Sequence, residues 1–514
     1  SLTYGELLNL AQAVADLLRD QGIGAGARIG VMLEPSPLAI AAILGALLRG
    51  GSYVPLDGNS PRERRDQMIA AAGISVVLTS RERQAELRPG LGVALDGLRA
   101  APNTAPACAK LTGEEEAYVI FTSGSTGEPK GVSVTHDNLA WHVAARAAAY
   151  PDHPIDTFLL TFPLIFDGSV TVVFNTLASG GTLVLPRQSD AMDADRLVSL
   201  IAAAGVTHTA MTPSLWRQIL QAATSEQLAG LHFSLVAGES CPRSLVTLHA
   251  SLLPEVPLFN EYGPTEATAW TTFPRSRPDE GESVVPIGRP IPGCTAYVVD
   301  SQGRLCLPGM RGELFVAGPM VAQGYVGQAA LTDERFGQNP FSDQRNAARL
   351  YRTGDLVSFG DDGRLRFHGR ADRQVKLNGY RIELGEVEAA LGDHPAVSDC
   401  IVLLRNGGEG GAARLVAHVA GSGLPEAEAL RQHLAERLPA WMVPQSLVLH
   451  EKLPRSPNGK IDTTALHDPL PCTLAEPPKT DCEKRVAAIW AEALAIERVG
   501  RQDNFFVLGG SSLL

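Results

Sequence analysis

YVIFTSGSTGEPKGV, from Tyr118 to Val132, runs from an apolar strand into a loop of glycines and hydroxyls closed by a single lysine, Lys130. Gly124 and Gly127 can take positive φ and bring backbone close to a ligand, while Thr122, Ser123, Ser125 and Thr126 offer hydroxyl donors. With the charge of Lys130 added, the stretch predicts a cradle for nucleotide phosphate oxygens. Its spacing is not that of the common phosphate-binding loop, whose lysine directly follows the last glycine, because Glu128 and Pro129 intervene. A Ser/Gly-rich surface loop has a similar composition, so the neighbouring segments decide between the two readings.

Those neighbours alternate between helix and strand signals. Thr3 and Glu6 make a capping-box pattern, and Leu7, Leu10, Val14, Leu17 and Leu18 follow as a helical stripe that Gly22 can end. Apolar runs at Ile29–Leu33, Val76–Leu78 and Thr182–Leu185 read as buried strands between alanine-rich helical segments, the pattern of α/β sheets covered by helices. Proline and glycine rise between Phe273 and Pro292, ahead of a β-rich stretch from Ala296 to Phe315. Beyond Gly369–Asp372 the chain reads as a small α+β unit, with strands at Val375–Leu377, Ile401–Leu404 and Arg414–Val419 and helices at Glu383–Leu391 and Glu426–Leu438. After the proline-rich stretch His467–Pro478, Thr480 and Glu483 form a second capping box. Val486, Ile489, Trp490, Ala493 and Leu494 then repeat at helical spacing.

A chain of 514 residues exceeds the length that one core usually serves, so several domains are expected. The formal net charge of −12, with no basic run, argues against nucleic acid or an anionic membrane as the main partner. The apolar stretch Leu38–Leu48 is too short to span a bilayer. No signal peptide is visible, although the chain opens inside a motif and an earlier segment is expected. The 7 cysteines show no paired spacing, which suggests neither a disulfide framework nor a zinc site and points to a reducing, cytoplasmic compartment.

Taken in order, the motifs resemble the adenylate-forming enzyme superfamily and, within it, the adenylation domains of nonribosomal peptide synthetases. They are LTYGEL at Leu2–Leu7, GGSYVPLD at Gly50–Asp57, the loop above, FDGSV at Phe166–Val170, NEYGPTE at Asn260–Glu266, GELFVAG at Gly312–Gly318 and YRTGDL at Tyr351–Leu356. GRADRQVKLNGYRIELGEVE at Gly369–Glu388 and LPRSPNGKID at Leu453–Asp462 complete the series. The resemblance implies a large multi-sheet α/β adenylation core subdomain over 1–370 and a small mobile α+β C-terminal subdomain over 371–466. It further implies a linker over 467–478 and the N-terminal part of a helical peptidyl carrier domain over 479–514. In the closing DNFFVLGGSSLL, Ser512 would carry 4′-phosphopantetheine, although Ser511 replaces the usual Asp or His before it. So short a fragment should not fold alone.

The same resemblance assigns chemistry. A carboxylate attacking the α-phosphorus of ATP brings two anions together, so positive charge and a metal are needed near the phosphates. Thr122 to Lys130 would hold the departing phosphates, Glu266 would help hold Mg²⁺, and Thr265 would contact the α-phosphate. Tyr262 would stack on adenine, and Asp355 would accept bonds from the ribose hydroxyls. Lys460 would bridge the substrate carboxylate and the α-phosphate. Asp372 would be the hinge of the small subdomain, with Lys376 and Gly379 then approaching the pantetheine arm. Asp167 would pair with the ammonium of an α-amino acid.

Carried over one by one, the family's pocket positions are Asp167, Gly168, Thr171, Ala210, Leu235, Ala237, Glu261, Ala269, Trp270 and Lys460. Glycine and alanine open one side and Trp270 closes another. Glu261, a carboxylate in a closed pocket, predicts a polar substrate side chain bearing an amine or a hydroxyl, unless Thr171 or a water satisfies it. Expected partners are a carrier domain in cis, a phosphopantetheinyl transferase, other synthetase modules and a small helper protein. An acyl-CoA or aryl-acid ligase of the same superfamily is the alternative, but it leaves Asp167 and the carrier-like tail without a role.

Overall fold

The computed structural model describes residues 1–99, 108–124, 128–276, 285–342, 348–405, 413–455, 461–467, 476–494 and 499–501. Two compact units emerge. The first comprises Ser1–Gly58, Arg65–Thr122 and Pro129–Asp372, and the second Asn59–Arg64, Ser123–Glu128 and Arg373–Leu514. The first thus runs to Asp372, where the sequence reading put the border after residue 370.

The first unit opens with the helix Tyr4–Asp20. Its capping box is formed: Thr3 Oγ1 accepts from the Glu6 amide and the Glu6 carboxylate accepts from the Thr3 amide at 2.7 Å. The apolar stretch near Leu38 is a buried helix, Pro37–Leu48, with Ser36 as its N-cap. These two helices touch closely at Gly45, where a Cβ would stand 2.6 Å from Val14 Cβ.

Among the described residues, this unit holds seven-, six- and five-stranded sheets. The seven-stranded sheet has parallel strands Arg28–Met32, Ser52–Pro55 and Val76–Thr79, and then the antiparallel pair Glu116–Thr122 and Lys130–Thr135. The six-stranded sheet sets His208–Met211, Phe233–Ala237 and Leu258–Glu261 side by side and parallel. Their apolar residues are buried on both faces, as a helix-covered parallel sheet requires. The five-stranded sheet, which includes Thr295–Val299, Gly312–Ala317 and Arg349–Phe359, is antiparallel and accounts for the β-rich stretch.

The second unit has a hairpin, Gln374–Leu377 with Tyr380–Glu383, turning at Asn378 and Gly379, both of positive φ. Asn-Gly is the pair that a tight hairpin turn favours. A helix at Leu384–Gly392 follows. A three-stranded sheet joins Asp399–Arg405, Arg414–Ala420 and Ser446–His450, the last pairing parallel to its neighbour. The helix Asp481–Leu494 begins at Thr480, whose side chain accepts from the Glu483 amide at 3.2 Å. Val486 and Ile489 on it are exposed. Among the described residues no cysteine is paired, and no helix is long and apolar enough to cross a membrane.

Candidate active site

The stretch read as a phosphate cradle leaves and re-enters a sheet hairpin in which Thr122 pairs directly with Lys130 across Glu116–Thr122 and Lys130–Thr135. The strand register therefore sets the loop's only lysine at one of its feet. Thr122 Oγ1 is buried and has no hydrogen-bond partner among the described residues, a spare donor at the other foot. Ser123 and Gly124 belong to the second unit, where Ser123 Oγ donates to the Arg381 carbonyl at 2.8 Å. Ser125, Thr126 and Gly127 lie outside the described residues, as do Lys460 and Ser512.

Tyr262, Thr265, Glu266 and Asp355 all fall in the first unit. The strand Leu258–Glu261 delivers Tyr262 at its end, and the short 3₁₀ turn Thr265–Ala267 presents Thr265 and buries Glu266. Glu266 Oε1 accepts from the Tyr325 hydroxyl at 2.8 Å. Among the described residues there is no group of three or more His, Cys, Asp or Glu that could hold a metal. A buried carboxylate such as Glu266 is nonetheless compatible with Mg²⁺, which takes few protein ligands and keeps waters and phosphate oxygens. Asp355, also buried, accepts from the Tyr262 hydroxyl and, at 2.6 Å, from Arg370 Nη1. Burial, followed by the neighbouring Asp355 carboxylate, holds the Tyr262 phenol well above its ordinary value, so it remains a donor.

Of the positions predicted to line a substrate pocket, Ala210, Leu235, Ala237 and Glu261 lie on the parallel strands of the six-stranded sheet, toward the carboxyl ends at which open α/β sheets bind ligands. Leu235 pairs with Ala210, and Ala237 with Glu261. Asp167 begins the helix Asp167–Ser179, where the helix dipole favours a carboxylate. Thr171, one turn on, is buried and lies 3.3 Å from His142 Nε2 through its hydroxyl. Gly168 needs its missing side chain, since a Cβ there would stand 2.8 Å from the Phe162 ring. Past Glu266 the backbone of Thr268 and Ala269 is left-handed, with φ of 53° and 66°. This uncommon conformation presents Ala269 and the fully buried Trp270.

The surroundings of Glu261 correct the expectation that it awaits a substrate amine or hydroxyl. Arg146 Nη1 donates to Glu261 Oε2 at 3.1 Å, Arg146 Nη2 is 2.9 Å from Oε1, and the Tyr150 hydroxyl donates to Oε1 at 2.6 Å. Burial pushes the Glu261 carboxyl up, while Arg146 and then Tyr150 pull it down. The Arg146 guanidinium lies 5.2 Å from the Tyr150 ring centre and 5.1 Å from that of Trp270. Neither the Thr171 hydroxyl nor a water is needed for this satisfaction. His142, in the same cluster, is pushed down to about 3 by burial and then by Arg146, so it is neutral.

His142, Arg146 and Tyr150 were missed in the sequence. Their signal was present, because they recur every fourth residue along the helix His136–Ala149 and its C-cap, a polar stripe on an alanine-rich helix. Arg370 and Tyr325, which bond Asp355 and Glu266, carried no comparable signal.

The family model described as AMP-binding enzyme matches residues 1–326, and the one described as AMP-binding enzyme C-terminal domain matches residues 386–460. The chain is 38% identical over 534 residues to tyrocidine synthase 3 of Brevibacillus parabrevis, covering 100% of this chain and 8% of that protein. It thus spans less than half the length of the curated relatives it matches first, from 7% to 47%. Holo-PA1221, a synthetase protein containing adenylation and PCP domains and bound to a vinylsulfonamide inhibitor, is similar at 31% identity and a TM-score of 0.83. The match covers 100% of this chain and 86% of that one. Holo-AB3403, a four-domain nonribosomal peptide synthetase bound to AMP and glycine, is similar at 33% identity and a TM-score of 0.65, covering 100% and 38%.

Proposed function

Since the chain belongs to the AMP-binding enzymes, and among them to the adenylation domains of nonribosomal peptide synthetases, which are ligases, we propose that it activates an α-amino acid with ATP. The carboxylate oxygen attacks the α-phosphorus, the bond to the β-phosphate oxygen breaks, and pyrophosphate leaves. The aminoacyl group then passes to the phosphopantetheine thiol of a carrier domain; a carbon–sulfur bond forms, AMP departs and the thiol gives up its proton. The observation that carries this reading is Asp167, which sits at a helix N-terminus in the first unit that also holds Tyr262, Glu266 and Asp355. That AMP and glycine accompany a similar synthetase supports the same substrate class.

In this scheme Asp167 holds the ammonium, Asp355 the ribose, and Thr122 with Lys130 the departing phosphates. Glu266 would hold Mg²⁺, whose charge would offset that of the phosphates. Lys460 adds the positive charge that the attack gains, Asp372 is the hinge between half-reactions, and Ser512 carries the arm. A carrier domain in cis, other modules and a phosphopantetheinyl transferase follow from the scheme as partners. The test is amino-acid-dependent exchange of pyrophosphate into ATP across a panel of amino acids and of carboxylic acids lacking an amino group. Exchange with an α-amino acid is expected; exchange only with acids lacking the amino group would move the chain to the aryl-acid or acyl-CoA ligase reading.

A further inference from the structure

We propose that Arg146, which is not among the family's pocket positions, sets the charge class of the substrate: by neutralising Glu261 from within the protein, it makes the site select an α-amino acid with an uncharged side chain. This rests on the amino-acid-activating reading above. Three observations carry it. First, both Glu261 oxygens are already engaged: Oε2 accepts from Arg146 Nη1 at 3.1 Å and Oε1 from the Tyr150 hydroxyl at 2.6 Å, with the charge of Arg146 Nη2 2.9 Å from Oε1. A cationic side chain would have to displace a buried guanidinium whose own charge would then be unpaired. Second, Arg146 is held in place, because its guanidinium contacts the faces of Tyr150 and Trp270, rings that are themselves stacked 5.7 Å apart at 19°. Third, among the described residues of this cluster Arg146 offsets Glu261 and burial keeps His142 neutral, while the amino-acid reading gives Asp167 to the ammonium that every α-amino acid brings. Trp270 Nε1, buried with no hydrogen-bond partner among the described residues, adds a donor without charge.

Arg146 is therefore a specificity-determining residue and Glu261 its partner rather than the reader of a substrate amine. The inference predicts opposite switches. Removing Arg146 exposes a buried carboxylate that favours a cation, and removing the Glu261 charge exposes a guanidinium that favours an anion.

The experiment measures kcat/KM for pyrophosphate exchange by the full chain and by Arg146→Met, Glu261→Gln and the double variant. The panel holds uncharged amino acids, ornithine and lysine, aspartate and glutamate, and an aryl acid. The wild type is expected to prefer an uncharged side chain at least tenfold. Arg146→Met should shift the ratio at least tenfold toward ornithine or lysine, and Glu261→Gln should shift it toward aspartate or glutamate. The double variant, from which both charges are removed together and which is the form most expected to fold, should keep the wild-type order of preference whatever its rate. Wild-type selection of a charged amino acid, a folded Arg146→Met with an unchanged ratio, or a double variant that gains a charged substrate would each overturn the role of Arg146. The amino-acid reading would survive all three. Exchange with the aryl acid alone would instead remove that reading itself.

Discussion

Arg370 donates to Asp355 through Nη1 at 2.6 Å while its Nε reaches Asp372 Oδ1 at 2.7 Å, so one guanidinium ties the proposed ribose carboxylate to the proposed hinge. Its Nη2 also donates to the Thr353 carbonyl at 3.2 Å. Replacing it by methionine leaves the buried Asp355 with Tyr262 as its donor. Arg370→Met is expected to lower stability by about 2 kcal/mol, the scale of a hydrogen bond to a charged group, and to raise KM for ATP. Urea unfolding and ATP-dependent exchange kinetics measure the two effects. An unchanged KM with lowered stability would leave Arg370 a purely structural residue.

Gly263 lies under the left-handed turn that presents Trp270. A Cβ there would stand 2.5 Å from the Ala269 carbonyl oxygen and 2.6 Å from Trp270 Cα, backbone atoms that cannot swing aside. Gly263→Ala should destabilise the protein by about 1–3 kcal/mol and lower kcat/KM for the amino acid more than for ATP. Thermal melts with separate kinetics for each substrate check this. Equal losses for both would show that the turn does not act on the amino-acid side in particular.

His142 makes a prediction about acid. Its folded pKa is pushed to about 3 from an ordinary 6.5, with burial the main cause and Arg146 the next. The unfolded chain therefore binds this proton first as pH falls, so stability is undiminished above about pH 6.5 and declines toward pH 3, at up to about 1.4 kcal/mol per pH unit. His142→Gln, which keeps a polar group beside Thr171, should flatten that part of the stability profile. Urea midpoints at a series of pH values test it, and parallel profiles for the two proteins would contradict it.

The two half-reactions separate Lys460 from Asp372. Lys460→Ala should cut adenylate formation by about a hundredfold to a thousandfold yet leave transfer from a supplied aminoacyl adenylate largely intact. Asp372→Pro should do the reverse, slowing thioester formation more than adenylation, because it stiffens the position at which the units change over. Single-turnover assays of each step on the loaded protein distinguish them. If either substitution slowed both steps alike, its assigned role would be lost.

Much of this protein was determined by local sequence. The boxes Thr3–Glu6 and Thr480–Glu483, the buried strand beginning near Ile29 and the Asn378–Gly379 turn each depend on residues only a few positions apart. Local propensity and capping act over that range. Tertiary structure alone decided the contacts that span long stretches of chain. Ser446–His450 became a strand only by pairing parallel with Arg414–Ala420. Glu261 looked like an unpaired pocket carboxylate because its partner, Arg146, stands 115 residues earlier on the helix His136–Ala149, outside every motif. The helical stripe of His142, Arg146 and Tyr150 is legible, but its pairing with Glu261 is not, since attraction between two charges depends on distance in space and on exclusion of water. What Glu261 does was therefore decided when the helix bearing Arg146 and Tyr150 packed against the end of its strand.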